Sequence, residues 1–171
     1  EIGSGLVGSE MCIRDRYIHY KREQEVSMNH VVLLTHGEFS KGIAQSCEFI
    51  LGNVPDLKAL SITMETSMEQ AADMLREAVE SFGNQKVIVV TDMAAGSTTQ
   101  AALRIIPEYE NVYLLTGLNL GLLIGLLMTD LTDQKEENIK LLKSIAAQAK
   151  DTILFLNDMD EQKFPDQDGE L

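Results

Sequence analysis

The sequence predicts an α/β domain, an open, mainly parallel sheet of four strands with helices on both faces. Three observations lead there. The stretches Val31–Leu34, Val87–Thr91 and Val112–Thr116 are near-continuous apolar runs, the pattern of strands buried on both faces of a parallel sheet. Each is followed by a segment whose apolar residues recur at helical spacing. Gly, Asn or Pro stands at several of the joints, so strands and helices alternate as βαβ units.

The elements follow in order. After the first strand, Phe39 to Leu51 carries Ile43, Ser46, Cys47, Ile50 and Leu51 on one helical stripe, and Gly52-Asn53 ends it. Leu57 to Ile62 is the second strand. Ser67 is placed to cap a helix from Met68 to Phe82, whose apolar face holds Ala71, Ala72, Leu75, Ala78 and Val79. The third strand, Val87–Thr91, leads to a helix capped by Ser97 or Thr98 that reaches Ile106, where Pro107 forbids continuation. The fourth strand, Val112–Thr116, breaks at Gly117 before a buried helix from Leu118 to Met128. Glu136 to Lys150 is a last amphipathic helix. Thr152 to Leu156 is short and β-like, and too peripheral for a comfortable lone edge strand.

Composition excludes several functions. The chain has 171 residues, enough for one domain with a proper core, and a formal net charge of −13. Such acidity disfavours nucleic acid and anionic membrane surfaces, but suits a basic protein partner. Two cysteines, Cys12 and Cys47, make no disulfide framework and imply a reducing cytoplasm. Neither cysteine lies in a C-x-x-C or a close His/Cys cluster, so neither a metal nor another cofactor is expected. The best membrane candidate, Val112 to Met128, is interrupted by Thr116-Gly117 and Asn119, short of the ~20 apolar residues a span needs. Gly37 to Gly42 has Walker-like spacing without the following Lys-Ser/Thr. Gly117, Gly121 and Gly125 read as close helix packing, the eight methionines as core filler, Cys47 as an inert buried thiol and His30 as structural.

The two ends stand apart. Glu1 to Arg16, EIGSGLVGSEMCIRDR, lacks helical period, strand alternation and caps, and resembles translated sequencing-adapter DNA. Residues 1–27 are therefore expected to be a non-native or disordered leader, with the natural product starting at Met28. Residues 28–156 form the domain, and 157–171 an acidic, flexible tail.

Function concentrates at one rim. In a parallel sheet the strand carboxyl ends lie together, and ligands bind there at the point where strand order reverses. The first strand delivers His36 to this rim, just before Gly37 and a helix N-terminus. Imidazole is a nucleophile near neutral pH, and helix N-terminal N–H groups receive anions. The third strand delivers Asp92. If the two strands are neighbours, Asp92 can accept from Nδ1–H, fix the tautomer and leave the Nε2 lone pair to attack phosphorus in line. Asp92 as a simple loop or capping carboxylate is the competing reading. Ala95-Gly96 before Ser97 would supply backbone donors and a hydroxyl. His36 and Asp92 are thus the candidate catalytic pair, and Gly37, Gly96 and Ser97 the candidate phosphoryl-binding residues.

These blocks resemble a known family. Val32-Leu33-Leu34-Thr35-His36-Gly37, Val89 to Ser97, Ala101 to Ile105 and Thr116 to Leu120, in that order over about 100 residues, are similar to the mannose-type (mannose/fructose/sorbose) IIA domain of the bacterial sugar phosphotransferase system. The resemblance implies that His36 takes a phosphoryl group from the histidine carrier protein HPr and passes it to a IIB protein, here expected to be a separate polypeptide. It implies that Asp92 orients His36 while Gly96 and Ser97 hold the phosphoryl. It also implies a cytoplasmic homodimer that exchanges a short C-terminal antiparallel strand. The aspartate loop departs from the usual Asp-x-x-Gly-Gly-Ser-Pro: Ala95 replaces the first Gly and Thr98 the Pro. Gln100 stands for a usual Asn, and Gly121 for a frequent Pro. These departures leave the sugar open. The alternative to a carrier is a regulatory module of the same fold that senses phosphorylation without feeding transport.

Overall fold

A computed structural model describes residues 29–158. The expected leader, 1–27, lies outside the described residues, as does most of the expected tail; Asn157 and Asp158 belong to a terminal 3-10 turn, Leu156–Asp158. The order is β1 (His30–His36), α1 (Phe39–Leu51), β2 (Leu57–Ile62), α2 (Met68–Glu80), β3 (Val87–Thr91), α3 (Ser97–Ile105), a 3-10 turn (Ile106–Glu108), β4 (Val112–Thr116), α4 (Leu120–Leu127) and α5 (Lys135–Asp151). The four strands form one parallel sheet in the order β2-β1-β3-β4.

Burial on both faces explains the apolar runs. Val31, Leu33, Ile88 and Val90 face one core, shared with Ile43, Cys47 and Leu51 of α1, Leu123 and Leu126 of α4, and Leu142 and Ile145 of α5. Val32, Leu34, Val87 and Val89 face the other, against Leu75 and Val79 of α2 and Ala101, Ala102 and Ile105 of α3. Each fully buried Leu or Val is worth about 1.5–3 kcal/mol of transfer free energy. Ser46, assigned to the buried stripe of α1, is exposed and returns its hydroxyl to the Gly42 carbonyl. Cys47 is buried, and burial together with neighbouring Glu48 pushes its thiol up to about 11, which keeps it protonated and unreactive.

The helix starts have specific causes. Ser67 and Gln70 form a reciprocal capping box on α2. Asn119 caps α4 by accepting from Leu122 N–H at 2.9 Å. The cap of α1 comes from the preceding strand: Thr35 Oγ1 accepts from Ser40 N–H at 2.8 Å. The expected cap of α3 is corrected. Gly96, which has no side chain to cap with, is the N-cap residue, and the Ser97 and Thr98 hydroxyls bond to His36 and Asp92 instead.

Within a single copy of the chain, Thr152–Leu156 forms no strand. α5 ends at Asp151, and Ile153–Phe155 run free of regular structure into the terminal 3-10 turn. A strand exists only through hydrogen bonds to another. The segment leaves α5 with Ile153 and Phe155 at 76% and 70% exposure. Its apolar character is real, but its own sheet does not use it.

At the amino end of the sheet, His30 stacks on Phe82 with centroids 4.4 Å apart, and its Nδ1 lies 3.3 Å from Asp56 Oδ1 without hydrogen-bond geometry. It stands at the opposite end of β1 from His36. Gly121 and Gly125 bring α4 against the last helix: a Cβ on Gly125 would meet Ile145 Cγ2 at 2.9 Å, and one on Gly121 would touch Thr152. Gly125→Val should therefore destabilise the fold by about 2 kcal/mol, overpacking outweighing the gain in helix propensity. Ile145→Leu moves the branch off Cβ, so adding it to Gly125→Val should recover part of the loss in urea unfolding. Additive losses would show that the two residues do not share this contact.

Candidate functional site: a His-Asp-Ser constellation at the switch point

The strand order reverses between β1 and β3, so the crevice at their carboxyl ends is the switch point of the sheet. Register brings the residues together. Leu34 pairs with Thr91 as the last β1–β3 partners, so Asp92 leaves β3 just as His36 ends β1. Where β3's backbone turns away, the Asp92 side chain takes over the ladder: Oδ2 accepts from His36 backbone N–H at 3.0 Å. On the other side, Gly37 N–H donates to the Ile62 carbonyl at 2.8 Å. The backbone at the histidine is thereby tied to both neighbouring strands.

The same Oδ2 lies 2.8 Å from His36 Nδ1. A carboxylate only accepts, so Nδ1 carries a proton, and in the neutral ring Nε2 then holds the lone pair. Nε2 is 2.9 Å from Ser97 Oγ, whose hydroxyl then donates to it. The other carboxylate oxygen, Oδ1, accepts from Met93 N–H at 3.0 Å and from Thr98 Oγ1–H at 2.8 Å. Four donors surround Asp92. Burial works against its charge, but bonds from the His36 N–H, the His36 ring and the Thr98 hydroxyl outweigh it and hold the carboxyl below its usual range. The His36 side chain is 45% exposed and that of Asp92 12%. The ring faces outward while the carboxylate stays shielded.

Of the candidate residues, His36, Asp92 and Ser97 meet directly. Gly96 serves differently from the expected backbone donor: its N–H goes to the Met93 carbonyl at 3.0 Å, and a Cβ there would lie 3.0 Å from His36 Cε1. Gly96 makes room for the ring. Gly37 is required by its φ of 57°, and its N–H is already taken by Ile62, so it serves the turn. The groups left free to receive an anion are the first-turn N–H groups of α3, which have no intrahelical partner. Thr98, read from the sequence as a candidate cap of this helix, and Thr99, read only as part of it, are buried parts of the site. Thr99 Oγ1 lies 2.6 Å from Thr91 Oγ1 and donates to the Met93 carbonyl at 2.7 Å. Four hydroxyl residues in the short span Thr91–Thr99, namely Thr91, Ser97, Thr98 and Thr99, were the available signal. Among the described residues, no group of three or more His, Cys, Asp or Glu is placed to hold a metal, and no helix is long and apolar enough to cross a membrane.

The sequence pattern of the family described as "PTS system fructose IIA component" matches residues 30–143. The chain belongs to this family. It is of the fructose/mannose/sorbose type of IIA component of the sugar phosphotransferase system (PTS). The sorbose-specific EIIA component of Lacticaseibacillus casei is 20% identical over 94 residues, 55% of this chain and 68% of that protein. Two solved structures share the fold of this IIA chain. EIIA from Streptococcus agalactiae has a TM-score of 0.68 at 20% identity, covering 77% of this chain and 100% of that one. The mannose/sorbose specific IIA subunit from Enterococcus faecalis has a TM-score of 0.67 at 20% identity, covering 78% and 98%.

The depressed Asp92 carboxyl predicts a pH signature for the IIA fold. Its contribution is full above the unfolded value of about 3.9 and is lost as pH falls through the lower folded value. The stability gap between wild type and Asp92→Ala should be widest near pH 6 and shrink towards pH 2–3 in urea titrations. A gap unchanged over that range would show that the Asp92 charge is not held by these donors.

Proposed function

We propose that this IIA chain is a phosphoryl carrier in which His36 Nε2 takes the phosphoryl group from phosphorylated HPr and passes it to a IIB protein, coupling to sugar uptake. The single observation that carries the reading is the ordered line Asp92 Oδ2 – His36 – Ser97, which leaves Nε2 as the outward lone pair. As the Nε2–P bond forms, the P–N bond of the donor's phosphohistidine breaks, and the donor ring nitrogen keeps the electron pair. His36 retains its Nδ1 proton and becomes cationic, and Asp92 stabilises that charge. The loose transition state spreads charge over the equatorial oxygens. Ser97 turns its hydroxyl from Nε2 to one of them, and the first-turn N–H groups of α3 supply further donors. Transfer to the acceptor runs the same steps in reverse. An exposed ring allows a protein donor to approach, and net charge −13 favours a basic docking face.

The reading includes a homodimer. β4 is an outer strand of the sheet. Beside it lies a cavity of about 320 Å³ lined by Tyr113–Thr116 and by Ile139, Leu142, Lys143 and Ala146 of α5. The exposed apolar segment Ile153–Leu156 has the length and composition to pair with such an edge in a second copy. Ile153→Asp with Phe155→Asp should convert a dimer to a monomer in light scattering at micromolar concentration. A wild-type monomer, or a dimer indifferent to both changes, would sink this part of the reading.

Phosphorylation itself is tested with labelled phospho-HPr. Label should be acid-labile and alkali-stable, as a phosphoramidate is, and absent from His36→Ala. Asp92→Asn should slow transfer roughly 30- to 1000-fold, or about 2–4 kcal/mol. In either amide orientation the NH2 faces donors, the His36 pair or Met93 N–H. Label persisting in His36→Ala, for instance on Ser97, would overturn the mechanism.

A further inference from the structure

Thr98 follows Ser97 in the first turn of α3 and carries a hydroxyl. In this chain it is fully buried. Its Oγ1 sits 2.8 Å from Asp92 Oδ1, the oxygen that does not touch His36. It is the second residue of α3, so the rigid first turn fixes where the hydroxyl points. Two bonds on Oδ1, from Thr98 and Met93, oppose two on Oδ2, from the His36 N–H and the ring. Without the Thr98 bond, Met93 N–H alone would hold Oδ1. That donor belongs to the loop that carries Asp92, so Thr98 supplies the bond to Oδ1 that ties the carboxylate to helix α3. With one bond fewer on Oδ1 the plane is held less tightly, and the Oδ2 lone pair can swing off the Nδ1–H direction.

We infer that Thr98 is a positioning residue of this chain: its hydroxyl locks the Asp92 carboxylate plane and thereby the reactive tautomer and aim of His36. The inference rests on the phosphoryl-carrier reading of His36. The geometry has a titration consequence. A hydroxyl donating to a carboxylate favours the ionised form. The titratable group set against Asp92 is His36 on β1; Thr98 and Thr99 of α3, Ser97 beside them and Thr116 of β4 carry no charge.

The test compares Thr98→Val, which keeps the shape and removes the hydroxyl, with Thr98→Ser, which restores it. Thr98→Pro provides a second hydroxyl-free variant, since the first helical turn tolerates proline. Val and Pro should each lower the rate of phosphoryl transfer from phospho-HPr roughly tenfold. They should raise the acid midpoint of Asp92, followed by carbon-13 NMR, by roughly half a pH unit or more. Nitrogen-15 spectra of His36 should show a protonated Nδ1 in wild type and Thr98→Ser, and a mixture of tautomers in Val and Pro. A hydroxyl-free variant with wild-type rate, midpoint and tautomer would overturn the inference, as would a Ser variant that behaves like Val. The NMR readouts need no transfer. If His36→Ala still takes label, the carrier reading falls; if His36 carries the label and Thr98→Val changes nothing, only the role of Thr98 falls.

Discussion

The site depends on one carboxylate. Asp92 lies at the seam between β1 and β3, and its two oxygens accept from two chain segments at once: the end of β1 through His36, and the start of α3 through Thr98, with Met93 of its own loop completing the set. It continues the sheet's hydrogen-bond ladder past the last backbone pair, anchors a helix and sets a tautomer. A side chain with less acceptor capacity cannot do all three. Asparagine has one accepting oxygen and must aim its NH2 at a donor. The electrostatic requirement of the chemistry and the structural requirement of the seam are therefore met by the same ionised group, and their failures will be coupled.

Topology explains why this seam is the site. With the order β2-β1-β3-β4, the connections from β1 and β3 diverge to opposite sides of the sheet, and α1 and α3 pack on opposite faces. The crevice between them stays open. Thr35 shows how closely the strand ends are woven into this arrangement: the residue before His36 caps α1 with its hydroxyl, while its backbone pairs with Ser61 of β2. The buried hydroxyls of Thr91 and Thr99 support the loop from beneath, with Thr99 holding the Met93 carbonyl. Rigidity is thus built under the ring, and exposure is confined to its outer edge.

Much of this was legible in the residues. Strands buried on both faces need apolar side chains at every position, so Val31–Leu34 and Val87–Val90 announce themselves without alternation. The meeting of His36 with Asp92 follows once β1 and β3 are neighbours. What escaped was anything decided by competition for a single hydrogen. Ser97 and Thr98 have the chemistry of caps, but the site offered their hydroxyls an imidazole nitrogen and a carboxylate. Gly37 and Gly96 have the chemistry of anion-binding loops, yet their N–H groups go to the Ile62 and Met93 carbonyls. Local sequence states which bonds a residue can make; tertiary placement decides which it does make. Ile153–Phe155 shows a related dependence on tertiary placement. Its composition is that of a strand, but strand formation is a property of a pair.

The Ser97 hydroxyl adds a last constraint. In the resting arrangement it donates to the lone pair that the proposed carrier function makes the nucleophile. This bond costs the nucleophile some reactivity, but it also fixes the ring from the side opposite Asp92. With both ring nitrogens held and Gly96 leaving no spare width at Cε1, the imidazole is ordered before any partner arrives. The ordering entropy is then spent in folding rather than at the moment of transfer. In the proposed transfer the exchange that remains is small: one hydroxyl hydrogen would move from nitrogen to a phosphoryl oxygen as the new bond forms. A carrier must release its cargo as readily as it accepts it, so a site whose donors shift little between empty and loaded states suits transfer in both directions better than one that grips the loaded state.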